Sequence, residues 1–212
     1  MRLDLFALKK GGRIDGEFMG PIRPELPVLE PGETYLLETI VRTVKMGHLF
    51  TQGTADSNQV WLEVDVWCGD REIGRSGAMN ADGQVDPWSH FVNSFVIDRD
   101  GNRINRRNAQ DIFTSLYNNQ IPPGAADSVH YRFQLPEDCD GPVTISASLK
   151  YRKFDTEYMR FVHDDAAWVN ELPVTILAED TVTLPVVGGS GVLAQASDIP
   201  PWIRWNDYGI GL

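Results

Sequence analysis

Residues 60–67, VWLEVDVW, constrain the fold most, because apolar and polar side chains alternate there without a break. A period of two places Val60, Leu62, Val64 and Val66 on one face of a β-strand and the tryptophans and acids on the other. Similar runs recur along the chain, separated by turns rich in Gly, Pro, Asn and Asp. They cover residues 2–8, 34–44, 72–78, 91–97, 128–135, 143–153, 174–178 and 181–187.

These runs predict an all-β fold, namely an antiparallel β-sandwich of immunoglobulin-like or jelly-roll-like type. Strands do not alternate with long helical segments, which argues against a parallel α/β sheet. Residues 105–117 lack β alternation and predict a short helical insertion, whereas Glu179 and Asp180 predict the turn of a final hairpin. We assign residues 1–187 to one sandwich domain, because all-β chains of this size are often single domains.

The C-terminal residues follow a different pattern. Residues 188–201 begin with Gly-Gly-Ser-Gly and end with two prolines, which predicts a flexible linker. In residues 202–212 an apolar stripe recurs at helical spacing, so we predict a helix with one aromatic face. The stripe consists of Trp202, Trp205, Tyr208 and Leu212. We expect this helix to be truncated and to open a helical region of a longer natural protein.

Composition excludes several classes of function. A net charge of -11 disfavours nucleic acid and anionic membranes, because both require a cationic surface. No apolar run reaches the roughly 18 residues of a transmembrane helix, so we expect no membrane insertion. The N-terminal MRLDLFALKK is typical of a strand and not of a signal peptide. The chain also lacks the CxxCH motif, so it cannot attach a c-type haem covalently.

The two cysteines, Cys68 and Cys139, fall at predicted strand ends. They either pair in an oxidising compartment or remain as two half-buried thiols, and their spacing does not decide between these states. The chain has no CxxC motif, which excludes a zinc knuckle and a thioredoxin-type redox site.

His48 is the first candidate site residue. It lies in a polar, Gly-punctuated loop at residues 47–58 that leads into the alternating strand. Gly47 permits close approach of the backbone to a flat ligand, and imidazole is a common ligand of metals and haem. The competing interpretation is a surface histidine that is hydrogen-bonded within its own loop.

A metal site near the turn at residues 80–86 is the second candidate. Asp82, Asp86 and His90 offer oxygen and nitrogen ligands, and Pro87 suggests a fixed turn between the last two. The segment lacks the bidentate glutamate of an EF-hand loop. The structural alternative is a turn that Asp86 caps.

Tryptophans form the third candidate, a binding surface made of Trp61, Trp67 and Trp88. Exposed aromatic residues of this kind either stack on sugars or contact another domain. Glu63 and Asp65 lie about 7 Å apart on the same strand face, a separation compatible with a glycosidase pair. Acids on such a strand are more often part of a solvated surface.

Several long segments of the chain resemble a known family. They are GHLFTQGTADSNQVWLEVDV (47–66), GRSGAMNADGQVDPWSHFVNSFVIDRDGNRI (74–104), RRNAQDIF (106–113), LYNNQIPPGAADSVHYRF (116–133), LKYRKFD (149–155), YMRFV (158–162) and WIRWNDYGIGL (202–212). Together they are similar to the haem-free β domain of bacterial multihaem cytochrome c proteins that also carry tetratricopeptide repeats. The resemblance extends over most of the chain, from about Leu3 to Leu212.

This resemblance implies a periplasmic or cell-envelope location and a non-catalytic, structural or interaction role in electron transfer. The implied partners are adjacent haem-bearing and helical-repeat domains, and WIRWNDYGIGL resembles the first helix of the repeats. In related proteins the histidine of a GH-x-[FIP]-T-x-G loop serves as a distal haem ligand, and the matching residue here is His48. The haem c itself would belong to the adjacent domain. The alternative function is a carbohydrate- or calcium-binding β-sandwich module.

Overall fold

The computed structural model describes residues 1–53, 55–189 and 191–212. Thr54 of the predicted His48 loop and Ser190 of the predicted linker lie outside these ranges. No helix in the described part of the chain is long and apolar enough to cross a membrane. The strands are β1 (Arg2–Lys10), β2 (Glu17–Met19), β3 (Thr34–Arg42), β4 (Gln59–Cys68), β5 (Arg71–Ser76), β6 (His90–Phe91), β7 (Ser94–Ile97), β8 (Thr114–Asn118), β9 (Ala126–Gln134), β10 (Val143–Arg152) and β11 (Thr175–Leu184). The helices are a 3-10 turn at Ala109–Asp111, α1 (Thr156–His163) and α2 (Pro201–Gly211).

Two antiparallel sheets share one core and form a β-sandwich, which confirms the predicted fold class. The first sheet has the strand order β2-β1-β3-β9, and the second has the order β11-β10-β4-β5, with β6 also paired to β4. Strands β7 and β8 form a separate two-stranded ribbon. Every paired strand runs antiparallel to its neighbour.

The core between the sheets is built from side chains that alternate along each strand. The four apolar residues of β4 that the period-two pattern selects, Val60, Leu62, Val64 and Val66, are each at most 3% exposed. Alternate residues of β10 join them, as do Leu3 and Leu5 of β1. Burial of this shared apolar face is the main stabilising contribution of the sandwich.

Helix α2 covers the outer face of the first sheet. The ring of Tyr208 stacks on Phe6, with centroids 4.4 Å apart, and Ala7 and Ile40 complete this smaller cluster. Tyr208 also donates a 2.9 Å hydrogen bond to the buried carboxylate of Glu38. Strand β1 is therefore buried on both faces over most of its length, which accounts for its nearly continuous apolar sequence.

Buried ion pairs fix the position of α2 on the sheet. Arg204 donates two hydrogen bonds of 2.9 Å to Asp4, and the two residues are only 1% and 2% exposed. One turn later, Asp207 accepts from Arg2 at 2.5 Å and from Arg42 at 3.0 Å. Since a buried charge that loses its partner costs about 3–5 kcal/mol, these pairs determine which face of α2 meets the sheet.

The buried face of α2 differs from the predicted aromatic face. Tyr208 is buried, but Trp202, Trp205 and Leu212 are 72%, 46% and 75% exposed. The sheet beneath the helix presents charged side chains beside Phe6, so Arg204 and Asp207 share the contact with Tyr208, and Trp205 meets Phe6 edge-on with centroids 5.1 Å apart. Residues 201–211 thus pack on the sandwich, and the expected continuation into helical repeats stays a prediction.

The predicted linker at residues 188–201 is partly paired with the sandwich. Leu26 N donates to Leu193 O, and Gln195 N donates to Pro24 O, both at 2.9 Å. These two backbone hydrogen bonds hold the middle of the segment against residues 24–26.

Two local assignments differ from the prediction. Residues 105–117 contain a single 3-10 turn, and residues 114–117 of the predicted helix belong to β8, which pairs with β7. The predicted final hairpin is one continuous strand, β11, paired along β10. Asp180 does not form a turn, because its carboxylate accepts from Leu5 N and Arg23 Nη1, each at 2.8 Å.

Cys68, at the end of β4, and Cys139, in the loop before β10, form a disulfide. Their Cα atoms lie 6.0 Å apart, and the two residues are separated by 71 positions in the sequence. The structure thereby decides between the two states that their spacing left open.

Replacing both cysteines by serine is expected to lower the free energy of unfolding by about 2–4 kcal/mol, because the disulfide restricts the unfolded chain over a long loop. Urea unfolding with and without a reductant measures the effect. A reductant should leave the midpoint of the double variant unchanged, which provides the control. Equal midpoints for the oxidised wild type and the double variant would contradict the pairing.

Candidate functional site

One end of the sandwich carries three long connections, and we call it the loop end. These are residues 43–58 between β3 and β4, residues 92–125 with the β7–β8 ribbon, and residues 153–174 with α1. Backbone hydrogen bonds join them: Phe50 and Ile121 exchange two, of 2.9 and 2.6 Å, and Asp155 N donates to Ser57 O at 2.9 Å. Loops that converge on a rigid scaffold commonly carry function.

Arg152 organises this end from within. It is fully buried at the last position of β10 and donates to Gly83 O at 2.6 Å, Asn170 O at 3.3 Å and Thr156 Oγ1 at 3.3 Å. Its Nε also donates to Gln59 Oε1 at 3.1 Å. Burial lowers the pKa of the Arg152 guanidinium from its usual value. One side chain thus joins the start of β4, the 79–86 turn and the segment around α1.

A cleft of about 410 Å³ opens beside Arg152 and is lined by its partners Gln59 and Thr156. Asn58 and Asn93 contribute amides to the lining, and both are more than nine-tenths buried. Phe91, Phe95 and Tyr117 contribute half-buried aromatic rings. A cavity of this size with aromatic walls and a few convergent polar groups has the features of a small-molecule site.

Arg103 is the cation of the cleft. Its guanidinium lies 5.0 Å from the ring centroid of Phe95, and its Nη2 and Nη1 lie 3.1 Å from Asp155 and 3.3 Å from Glu157. Asn105 Nδ2 donates to the same Glu157 carboxylate. The charges of the cleft are therefore paired with one another across the ribbon and α1.

Asp155 begins helix α1 as its N-cap. Its Oδ1 accepts a 2.7 Å hydrogen bond from Tyr158 N, which satisfies one of the free amides of the first turn. Burial raises the pKa of this carboxyl above its usual value of 3.8, even though the Tyr158 amide and Arg103 oppose the shift. Burial also raises the pKa of Tyr117 across the cleft.

His48 is exposed on the loop between β3 and β4. Its Nδ1 lies 2.9 Å from Leu49 O. Because a carbonyl only accepts, Nδ1 carries the proton, and the lone pair of Nε2 is available to a ligand. The structure thus shows a surface histidine that is hydrogen-bonded within its own loop, and the role of His48 as a haem ligand stays a prediction.

The structure does not bring the predicted metal ligands Asp82, Asp86 and His90 together into one metal-binding group. Asp86 Oδ1 accepts from Trp88 N at 3.0 Å and so caps the turn, which is the structural alternative considered above. His90 Nε2 lies 2.9 Å from Asp127 Oδ2 in an ion-pair contact whose angle is not that of a hydrogen bond. Across the described ranges, no three His, Cys, Asp or Glu side chains form a group that could hold a metal ion.

The predicted tryptophan surface is wrong for Trp61, which is fully buried. Its indole N–H donates to Gly77 O at 3.0 Å, because the segment after β5 crosses the outer face of β4. Trp67 is half-buried, whereas Trp88 is 90% exposed. The three rings therefore do not form one continuous exposed surface.

Glu63 and Asp65 are engaged by cations on the same strand face. Glu63 Oε2 lies 2.6 Å from Lys150, and Arg75 bridges Glu63 at 3.3 Å and Asp65 at 3.0 Å. Burial raises the pKa of Asp65. These contacts occupy both carboxylates in ion pairs, as expected for acids with a structural role.

Sequence reasoning did not identify the cleft, although one signal pointed to it. Asn93 stands in phase with Phe91 and Phe95 on one face of a predicted strand, so a polar residue occupies a core position. Arg103 and Arg152 carried no comparable signal, because their partners come from distant segments.

Comparison with known proteins shows a similarity of fold to one solved structure. No protein-family model matches the chain, and no curated protein matches it. Among solved structures, the chain is similar to a penta-haem cytochrome c552 from Thermochromatium tepidum. The sequence identity is 13%, the TM-score is 0.50, and the match covers 71% of this chain and 36% of that chain. At this identity the likeness concerns the fold alone, and this chain matches only about a third of the cytochrome.

The raised pKa of Asp155 predicts a specific pH dependence. Because its folded pKa lies above the unfolded value, the folded state binds the proton more tightly. Asp155→Asn keeps the N-cap without the charge, so it should gain stability relative to the wild type at neutral pH. That difference should shrink as the pH falls through the folded pKa towards 3.8, the usual value of the group.

Urea unfolding of both proteins across this pH range measures the difference, and a ¹³C NMR titration of the Asp155 carboxyl locates its pKa directly. Asp140→Asn, a change at an exposed acid, serves as the matched control. A stability difference that stays constant with pH, or grows on acidification, would contradict the assignment.

Proposed function

We propose that this chain is the haem-free β-sandwich unit of a larger extracytoplasmic electron-transfer protein. The observation that carries the proposal is the fold shared with a penta-haem cytochrome, of which the matched region is only 36%. A sandwich that accounts for part of a longer chain fits a structural or interaction role beside haem-bearing segments. The unit itself is non-catalytic in this proposal, and its cofactor chemistry belongs to its partner.

The disulfide supports a location outside the cytoplasm. Disulfides form and persist in oxidising compartments and are rare in the reducing cytosol. The Cys68–Cys139 bridge closes a long segment of the sandwich, so it acts as a structural crosslink. This supports our proposal that the protein resides in the periplasm or cell envelope.

His48 is the residue through which this unit would meet a haem. Its ring is exposed and its Nδ1 donates to the Leu49 carbonyl, and a backbone carbonyl is a common partner for the second ring nitrogen of a ligating histidine. The haem c would be covalently held by the adjacent domain, with Nε2 as its distal ligand. The loop at residues 47–58 would form the contact with that domain.

The exposed side chains of α2 are consistent with a contact to a second neighbouring domain. Trp202 and Leu212 are 72% and 75% exposed, and Trp205, whose ring contacts Phe6 at 5.1 Å, still leaves 46% of its surface exposed. A following helical-repeat domain would bury this surface by packing helix against helix.

His48→Ala is expected to weaken binding of a ferric haem peptide with one open axial position by about tenfold or more. The reason is that the variant cannot form the coordinate bond from Nε2 to the iron, a bond that would give the low-spin absorption spectrum. Titration of the purified chain, followed by haem absorption, measures this change.

His163→Ala is the matched control, because His163 is also exposed but its ring stacks on Trp168 at 3.6 Å. This variant should bind the haem peptide as the wild type does. Equal losses in both variants, or the absence of a low-spin spectrum with the wild type, would remove His48 as the ligand.

A further inference from the structure

The cleft at the loop end contains two buried amides whose hydrogen bonds are incomplete. Asn58 and Asn93 line it and are 6% and 4% exposed. Neither Oδ1 atom has a hydrogen-bond partner among the residues that the structure describes. Buried polar atoms without partners are rare in folded proteins, and each carries a desolvation cost. A ligand that donates to these oxygens would offset that cost.

The charges of the cleft indicate what kind of donor it accepts. Arg103 is shared between Asp155 and Glu157, so each carboxylate that lines the cleft already has a cationic partner. The unpartnered atoms are neutral amide oxygens, which accept hydrogen bonds. A hydroxyl donates to such an oxygen and brings no charge into the buried part of the cleft, so a neutral polyhydroxylated ligand matches these atoms better than a charged amine or a metal ion does.

The walls of the cleft agree with such a ligand. Phe91, Phe95 and Tyr117 provide aromatic surface beside the polar groups, and the rings of Phe95 and Tyr117 have centroids 5.3 Å apart. A sugar ring presents an apolar face of C–H groups and an edge of hydroxyls. The aromatic side chains can therefore pack against the C–H face of a sugar ring while the amides bind its hydroxyls.

We propose that this cleft is a binding site for a neutral saccharide of one or two rings. The amides of Asn58 and Asn93 would accept from its hydroxyls, and the aromatic side chains would pack against its C–H face. The volume of about 410 Å³ is sufficient for a ligand of this size. The site is separate from His48, so its failure would leave the haem-ligand test unaffected.

Saturation-transfer NMR on the full chain tests the proposal with glucose, galactose, N-acetylglucosamine and maltose as probes. Tetramethylammonium serves as the cationic comparison. Asn93→Leu preserves the shape of the side chain and removes the amide, so it should weaken saccharide binding by about tenfold. Its Tm should be unchanged or higher, because the deleted amide oxygen has no partner in the fold.

Trp88→Ala is the matched control for a sugar platform on the surface, since Trp88 is 90% exposed. It should retain the saccharide signal. The proposal is overturned if none of the four sugars binds, if only tetramethylammonium binds, or if Trp88→Ala abolishes binding. It is equally overturned if Asn93→Leu binds as the wild type does, or if its Tm falls because the amide is structural.

Discussion

Arg152 is a positive charge in the interior of the protein, and the organisation of the loop end depends on it. Its hydrogen bonds go to neutral acceptors, namely the carbonyl oxygens of Gly83 and Asn170, the amide of Gln59 and the hydroxyl of Thr156. A buried charge is tolerated only when its donors are satisfied. The acceptors come from three separate segments, so satisfying one guanidinium brings these segments together and shapes the cleft beside them.

The opposite requirement operates at helix α2. There the buried cation Arg204 meets a full carboxylate, Asp4, and the ion pair fixes the register of the helix on the sheet. The molecule therefore has two parts: the sandwich with its docked helix α2, and the loop end that Arg152 holds together. The sandwich is the rigid part, and the loop end carries the cleft and the His48 loop. The proposed haem contact and the proposed saccharide site both lie at the loop end.

Strand positions were largely predictable from the sequence, because period-two alternation acts locally. Val60 and Leu62 are core residues for the reason that the pattern indicates. The alternation predicted exposure wrongly where a segment distant in sequence covers the polar face of a strand. Trp61 is buried by the chain around Gly77, and Asp180 continues a strand because Arg23 binds its carboxylate. Such contacts join positions far apart in sequence, so no local period reveals them.

Hydrogen exchange on Arg152→Met tests most directly whether this arginine holds the loop end together. Lys150→Met, two residues earlier on β10, is the matched control. We predict that amide protection falls at Gly83 and at Asn170, whose N–H donates to Asp82 O at 3.2 Å, while the amides of β1 and β3 keep their protection. Wild-type protection at both amides in Arg152→Met, or an equal loss in Lys150→Met, would contradict it.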